Sequence, residues 1–133
     1  MIQEEGNFIL AKIEWAISGA ATINQPTIGN SGSLLSVNKV TGLDINNQPV
    51  IKPVTISLSG NDVALGYPND PLPNTFTLNN SNVQANNVIY THDAASGNGI
   101  NAEDIKASFT ITARTPTGAI ISQDFSSTSY LRK

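Results

Sequence analysis

The apolar residues of this chain recur with two different periods, and the change from one to the other falls near Ala20. From Ile2 to Ala20, projection at about 100° per residue gathers Ile2, Gly6, Ile9, Leu10, Ile13, Ala16, Ile17 and Ala20 into one stripe, the pattern of an amphipathic helix laid on a sheet. Glu4 and Glu5 fall in its first turn, where they suit the positive end of the helix dipole, and Ser18-Gly19 supplies residue types that end a helix. Phe8 and Trp15 share an azimuth roughly a third of a turn away from the stripe and form a second apolar strip. The helical pattern starts directly after Met1 with no capping residue ahead of it. That fits a longer helix whose first half lies upstream, or equally a ragged native start.

Beyond Ala20 the period drops to two. Residues 21–33, with Pro26, Gly29 and Gly32 among polar residues, read as a connecting loop holding at most a short edge strand at Thr22-Ile23. Short strands are predicted at Leu34–Val40, at Val54–Leu58 returning as Val63–Leu65, at Thr75–Leu78, at Val83–Ala85 and at Asn87–Thr91. Three prolines within Gly66–Asn74 describe an extended surface loop. The clearest alternation comes last. Ile105, Ala107, Phe109, Ile111 and Ala113 share one face, Thr115-Pro116-Thr117-Gly118 makes a turn, and Ile121 and Phe125 alternate on the returning strand. A helix followed by six to eight antiparallel strands predicts an α+β fold, its helix packed on the sheet through Ile9, Ile13 and Ile17 against Phe109, Ile111, Ile121 and Phe125.

Length is consistent with one domain over residues 1–133, divided into helix (1–20), connecting loop (21–33) and sheet region (34–133). The absence of cysteine excludes a disulfide framework, a thiolate metal site and a cysteine nucleophile. A formal charge of -3 with only seven Lys plus Arg and no basic run argues against a nucleic-acid surface. Abundant Asn, Ser and Thr with 13% charged residues resembles secreted β-rich domains more than cytosolic enzymes.

Little in the chain points to catalysis. His92, the one histidine, is the sole candidate base, and beside Asp93 on a polar stretch it reads as a solvated loop residue. Gly97-x-Gly99-x-x-Ala102 matches the dinucleotide fingerprint in letters only, because the motif must open a helix and Ile105 onward alternates as a strand. The segment His92–Glu103 is predicted to be a mobile, catalytically silent loop. Asp93, Asn98, Asn101, Glu103 and Asp104 are hard oxygen ligands close in sequence, so a calcium site through Asp93, Asn98 and Asp104 is the alternative to a plain turn-rich loop; the spacing is not that of an EF-hand. No cofactor is expected, and Tyr67, Tyr90 and Tyr130 are too scattered to predict an aromatic platform.

The segment EEGNFILAKIEWAISGA, running into a Pro/Gly loop and then strands, resembles the soluble part of type IV pilin-like proteins, in particular minor pilins and minor pseudopilins. The run LNNSNVQANNVIYTHD, the strand IKASFTITAR and the closing FSSTSYLR resemble that family's usual finish. The resemblance implies a non-enzymatic filament subunit of a pilus or type II secretion pseudopilus. Its partners would be other pilin or pseudopilin subunits, it would be anchored in the membrane through an apolar helix half upstream, and it would sit in the cell envelope. Phe8 and Trp15 would then be subunit contacts. Many pilins close their C-terminal region with a disulfide, which this chain cannot. The competing class is a secreted or cell-surface β-rich binding module of carbohydrate or adhesin type.

Overall fold

A computed structural model describes residues 2–68, 74–93 and 102–132. Among the described residues one helix, α1 (Ile2–Ser18), is followed by nine strands: β1 (Ala20–Gln25), β2 (Ser31–Gly32), β3 (Leu34–Leu43), β4 (Pro49–Ser59), β5 (Asp62–Tyr67), β6 (Asn74–Thr77), β7 (Val83–Asp93), β8 (Ala102–Arg114) and β9 (Ile120–Arg132). They form two antiparallel sheets, one ordered β1-β3-β4-β5-β6 and the other β2-β7-β8-β9. The architecture is therefore mostly β, which overturns the α+β expectation. The physical reason is that a helix of 17 residues covers only part of one sheet, so the remaining apolar strand faces must cover each other.

The layers divide the work. β7 packs against β3, β4 and β5, so one part of the sandwich closes sheet on sheet, while α1 lies along β9 and β8 and reaches β3 and β1. The segment expected to be a loop with at most a short edge strand at Thr22-Ile23 supplies β1, longer than expected and paired with β3, and β2, which pairs with the end of β7. Two short strands expected on either side of Asn86 are one strand, β7, irregular between Asn86 and Ile89 where Asn87 takes a φ of 55°. β4 and β5 are joined by Gly60-Asn61, and Gly60 has the positive φ that a tight two-residue hairpin asks of its first residue.

Ile9, Ile13, Ala16 and Ile17 are buried in one cluster with Leu35, Val37, Val54 and Ile56 of the first sheet and Phe109, Ile111 and Phe125 of the second. Burying an isoleucine contributes about 1.5–3 kcal/mol, so this stripe dominates what holds helix to sheets. Ile121 departs from the expected helix–sheet core: it is 50% exposed. It shares a face with Phe125, but Gln3 near the start of α1 meets Gln123 at 2.7 Å, so the described helix begins one pair short of Ile121. Tyr90 is fully buried with its hydroxyl unpartnered among the described residues, and burial pushes that phenol well above its usual range, so it stays neutral.

The passage from the first sheet to the second is held by a polar clamp. Buried Asn79 accepts the Val63 N–H through Oδ1 at 2.7 Å and donates through Nδ2 to Asp62 Oδ1 at 2.9 Å and to the Val83 carbonyl at 3.2 Å. The next residue donates its N–H to Glu5 at 3.1 Å, tying the crossover to the first turn of the helix.

Gly6 sets how closely the helix approaches β9. A methyl group at this position would overlap the Phe125 ring, which is itself stacked on Phe109 at a centroid distance of 5.4 Å. Gly6→Ala would gain up to about 1 kcal/mol of helix propensity, but overpacking costs about 1–3 kcal/mol. The expected outcome is a net loss of stability in urea denaturation. A net gain would show that the helix can slide on β9.

Candidate functional site

The helix strip that does not enter the core borders an apolar groove. Phe8, Lys12 and Trp15 stand at i, i+4 and i+7 and form one wall; Leu65 and Tyr67 of β5, Phe76 and Thr77 of β6, and Leu78 form the other, around a volume of about 430 Å³. Phe8 is 46% and Trp15 37% exposed, and the Tyr67 and Phe76 rings meet edge to face at 6.2 Å. The walls come together because Leu65↔Phe76 and Gly66↔Thr75 are cross-strand partners, while α1 crosses the same end of the sandwich near Asn80. Within residues 21–33, β1 runs along β3 and β2 along β7.

Two ammonium groups face these rings. Lys12 Nζ sits 5.7 Å from the Phe8 centroid and 5.4 Å from that of Trp15, and Lys39 Nζ sits 4.4 Å from the Trp15 ring on its other partner strand, β3. Lys39 also donates to the Trp15 carbonyl at 2.6 Å, a cation at the negative end of the helix. Desolvation by burial lowers the pKa of that ammonium below the ordinary lysine range. The groove offers aromatic faces and positive charge, and among the described residues no carboxylate or histidine lines its walls. Its chemistry suits an apolar segment carrying a carboxylate.

The other residues singled out from the sequence are dispersed. His92 is not a solvated loop residue: it closes the inward alternation Val88, Tyr90, His92 and is buried. Its Nδ1 lies 2.7 Å from the Pro26 carbonyl and its Nε2 2.9 Å from Glu103 Oε2. Because a carbonyl can only accept, Nδ1 carries a proton, and the contact with Glu103 must hold one more, on either the ring or the carboxyl group. The site ties the β1–β2 connection to β7 and β8. Asp93 and Asp104 are cross-strand partners on the outer face of the second sheet, beside a shallow polar depression lined by Thr91, Lys106, Ser108, Ser126 and Thr128. Asn98 and Asn101 of the calcium alternative, Gly97 and Gly99 of the glycine motif and most of the predicted mobile loop lie outside the described residues, among which no group of three His, Asp or Glu is placed to hold a metal ion. Tyr67, Tyr90 and Tyr130 stay apart, in the groove, the core and the outer face. The second wall of the groove escapes sequence reading; its one signal is the pair of apolar runs flanking the proline segment.

Set against family models, curated proteins and solved structures, the chain has no match. The class that fold and site define is thus a two-sheet β domain, part-filled by one helix and carrying an aromatic, cationic groove along that helix.

Two outcomes test this geometry. His92→Ala removes both contacts from a buried position and is expected to cost about 2–3 kcal/mol in urea denaturation, with the helix dichroism unchanged below the transition. For Lys39, the native chain gives up the ammonium proton before the unfolded chain does. Between those two values the unfolded state binds more protons, so the stability contributed at this position rises with pH. The stability of the wild type relative to Lys39→Met should therefore grow as the pH rises through the alkaline range toward the ordinary lysine value; a difference independent of pH would mean that the Lys39 charge is solvated.

Proposed function

We propose that this chain is a non-enzymatic structural subunit of a cell-envelope filament, of the pilus or secretion-pseudopilus kind, with other copies or related subunits as its partners. The observation that carries the reading is a helix with two apolar faces, one buried between its own sheets and the other, Phe8 and Trp15, left open. A helix serving one domain has no use for a second aromatic strip, and a neighbouring subunit supplies the missing cover. The proposal concerns the role and not the fold class, because the two-sheet β architecture differs from the one the resemblance implied. No helix among the described residues is itself long and apolar enough to cross a membrane.

The alternative reading, a surface binding module, draws on the same groove, whose rings could take the apolar face of a sugar. Among the described residues the groove is lined mainly by apolar and aromatic side chains, which favours an apolar partner over a sugar.

Trp15 is the only tryptophan, so its fluorescence separates the readings. In the isolated monomer it should be accessible to acrylamide, and it should shift to the blue and become shielded as protein concentration rises into the assembling range. Phe8→Ser should weaken that association about tenfold or more. Shielding already complete in the monomer removes the reason for assigning the strip to a neighbour. A shift produced by soluble oligosaccharides at monomeric concentration favours the binding module.

A further inference from the structure

The first sheet carries an arm that no other described strand flanks. β1 pairs with β3 only as far as Lys39, and β5 pairs with β4 only from Thr55 onward, so residues 41–51 form a two-stranded ribbon projecting past both neighbours. An isolated ribbon of this kind is marginal in water. Here the tip is braced: Asp44 Oδ1 accepts the N–H groups of Asn46 at 2.8 Å and Gln48 at 2.9 Å, and Asp44 N–H donates to the Gln48 carbonyl at 2.9 Å. The ribbon is also one-sided. Val40 opposes Ile51 and Leu43 opposes Pro49, and the irregularity between Val40 and Gly42 brings all four to one face, because Pro49 and Ile51 are two apart. That face is open to solvent, with Leu43 65% and Ile45 at the tip 98% exposed. An ordered tip that holds Leu43 and Ile45 out in solvent has the shape of a ligand.

We propose that the arm of one copy of this chain inserts its tip into the aromatic groove of a second copy, with Leu43 and Ile45 against the rings of Phe8, Trp15 and Phe76 and the Asp44 carboxylate facing Lys12. The two surfaces are complementary in each respect visible on the chain. One is a branched aliphatic knob bearing an acid; the other is an aromatic trough with an ammonium over two of its rings. Because arm and groove are different surfaces of the molecule, the contact is head-to-tail, and it propagates into an open array unless the rotation closes a ring. The inference rests on reading the chain as an assembly subunit, and it adds an axial contact that does not use any upstream helix. The area of one tip is small, so a single contact is weak and the array depends on repetition.

Paired variants of the full chain test it by analytical ultracentrifugation. Ile45→Asp places a charge on an exposed turn, and Phe76→Asp places one on the rim of the groove; each is expected to melt like the wild type and to raise the concentration for half-association at least tenfold. Mixed together, the two should form a dimer that grows no further, since the mixture holds one intact arm–groove pair per two molecules. The lack of native cysteine lets Ile45→Cys and Phe76→Cys be mapped directly: copies mixed one to one should cross-link to each other in preference to themselves. Unchanged association of Ile45→Asp, or cross-linking of Ile45→Cys mainly to itself, overturns the inference. If Ile45→Asp associates normally while Phe8→Ser does not, the filament reading stands and only the arm contact falls. A wild type that stays monomeric at millimolar concentration removes both.

Discussion

Everything else in this structure depends on how closely α1 can lie on β9. The contact is made where Gly6 leaves room for the Phe125 ring, which in turn rests on Phe109 of the neighbouring strand. With that approach the stripe Ile9, Ile13 and Ile17 sits at a depth where residues of both sheets can reach it. A larger residue at position 6 would lift the helix and open the seam at both sheets together. The glycine, usually a liability inside a helix, is here the condition for a shared core.

The same placement explains why the domain has an open groove. A helix that commits its buried face to two sheets has its remaining azimuths set, and Phe8 and Trp15 are turned toward the end of the first sheet, where β5 and β6 are short. The cations beside the rings keep the strip soluble without covering it. Lys39 has the further task of holding the Trp15 carbonyl in the last turn of the helix, linking the groove to the strand whose continuation becomes the projecting arm.

Local periodicity made α1 and the β8–β9 hairpin legible, because the residues that reveal them are close in sequence and alternate without interruption. Where the chain departs from a simple period, reading fails for physical reasons. β1 extends beyond the short edge strand read at Thr22-Ile23, and β2 is a strand at all, because β3 and β7 offer them edges, which Ala21–Ser33 does not announce. His92 looks exposed beside Asp93, yet the register from Val88 and Tyr90 turns it inward to Glu103. Asn79 is one of many asparagines, distinguished only by the backbone groups that converge on it. Ile121 alternates as a core residue should, and only the position of the helix start leaves it half exposed. In the groove the strip of Phe8 and Trp15 could be read from their shared azimuth, whereas Tyr67 and Phe76 reach it through tertiary pairing alone.

The pairing of Gln3 with Gln123 spans 120 residues, and the Gly6 contact with Phe125 nearly as many. On a ribosome this order matters. The amphipathic helix emerges well before β9, the strand that covers it, so the Ile9–Ile17 stripe stays uncovered while the intervening strands are made. Closure of the core is then a late, long-range event, slow by the nature of its topology, and until it happens the nascent chain displays the apolar face best suited to chaperones and lipid surfaces.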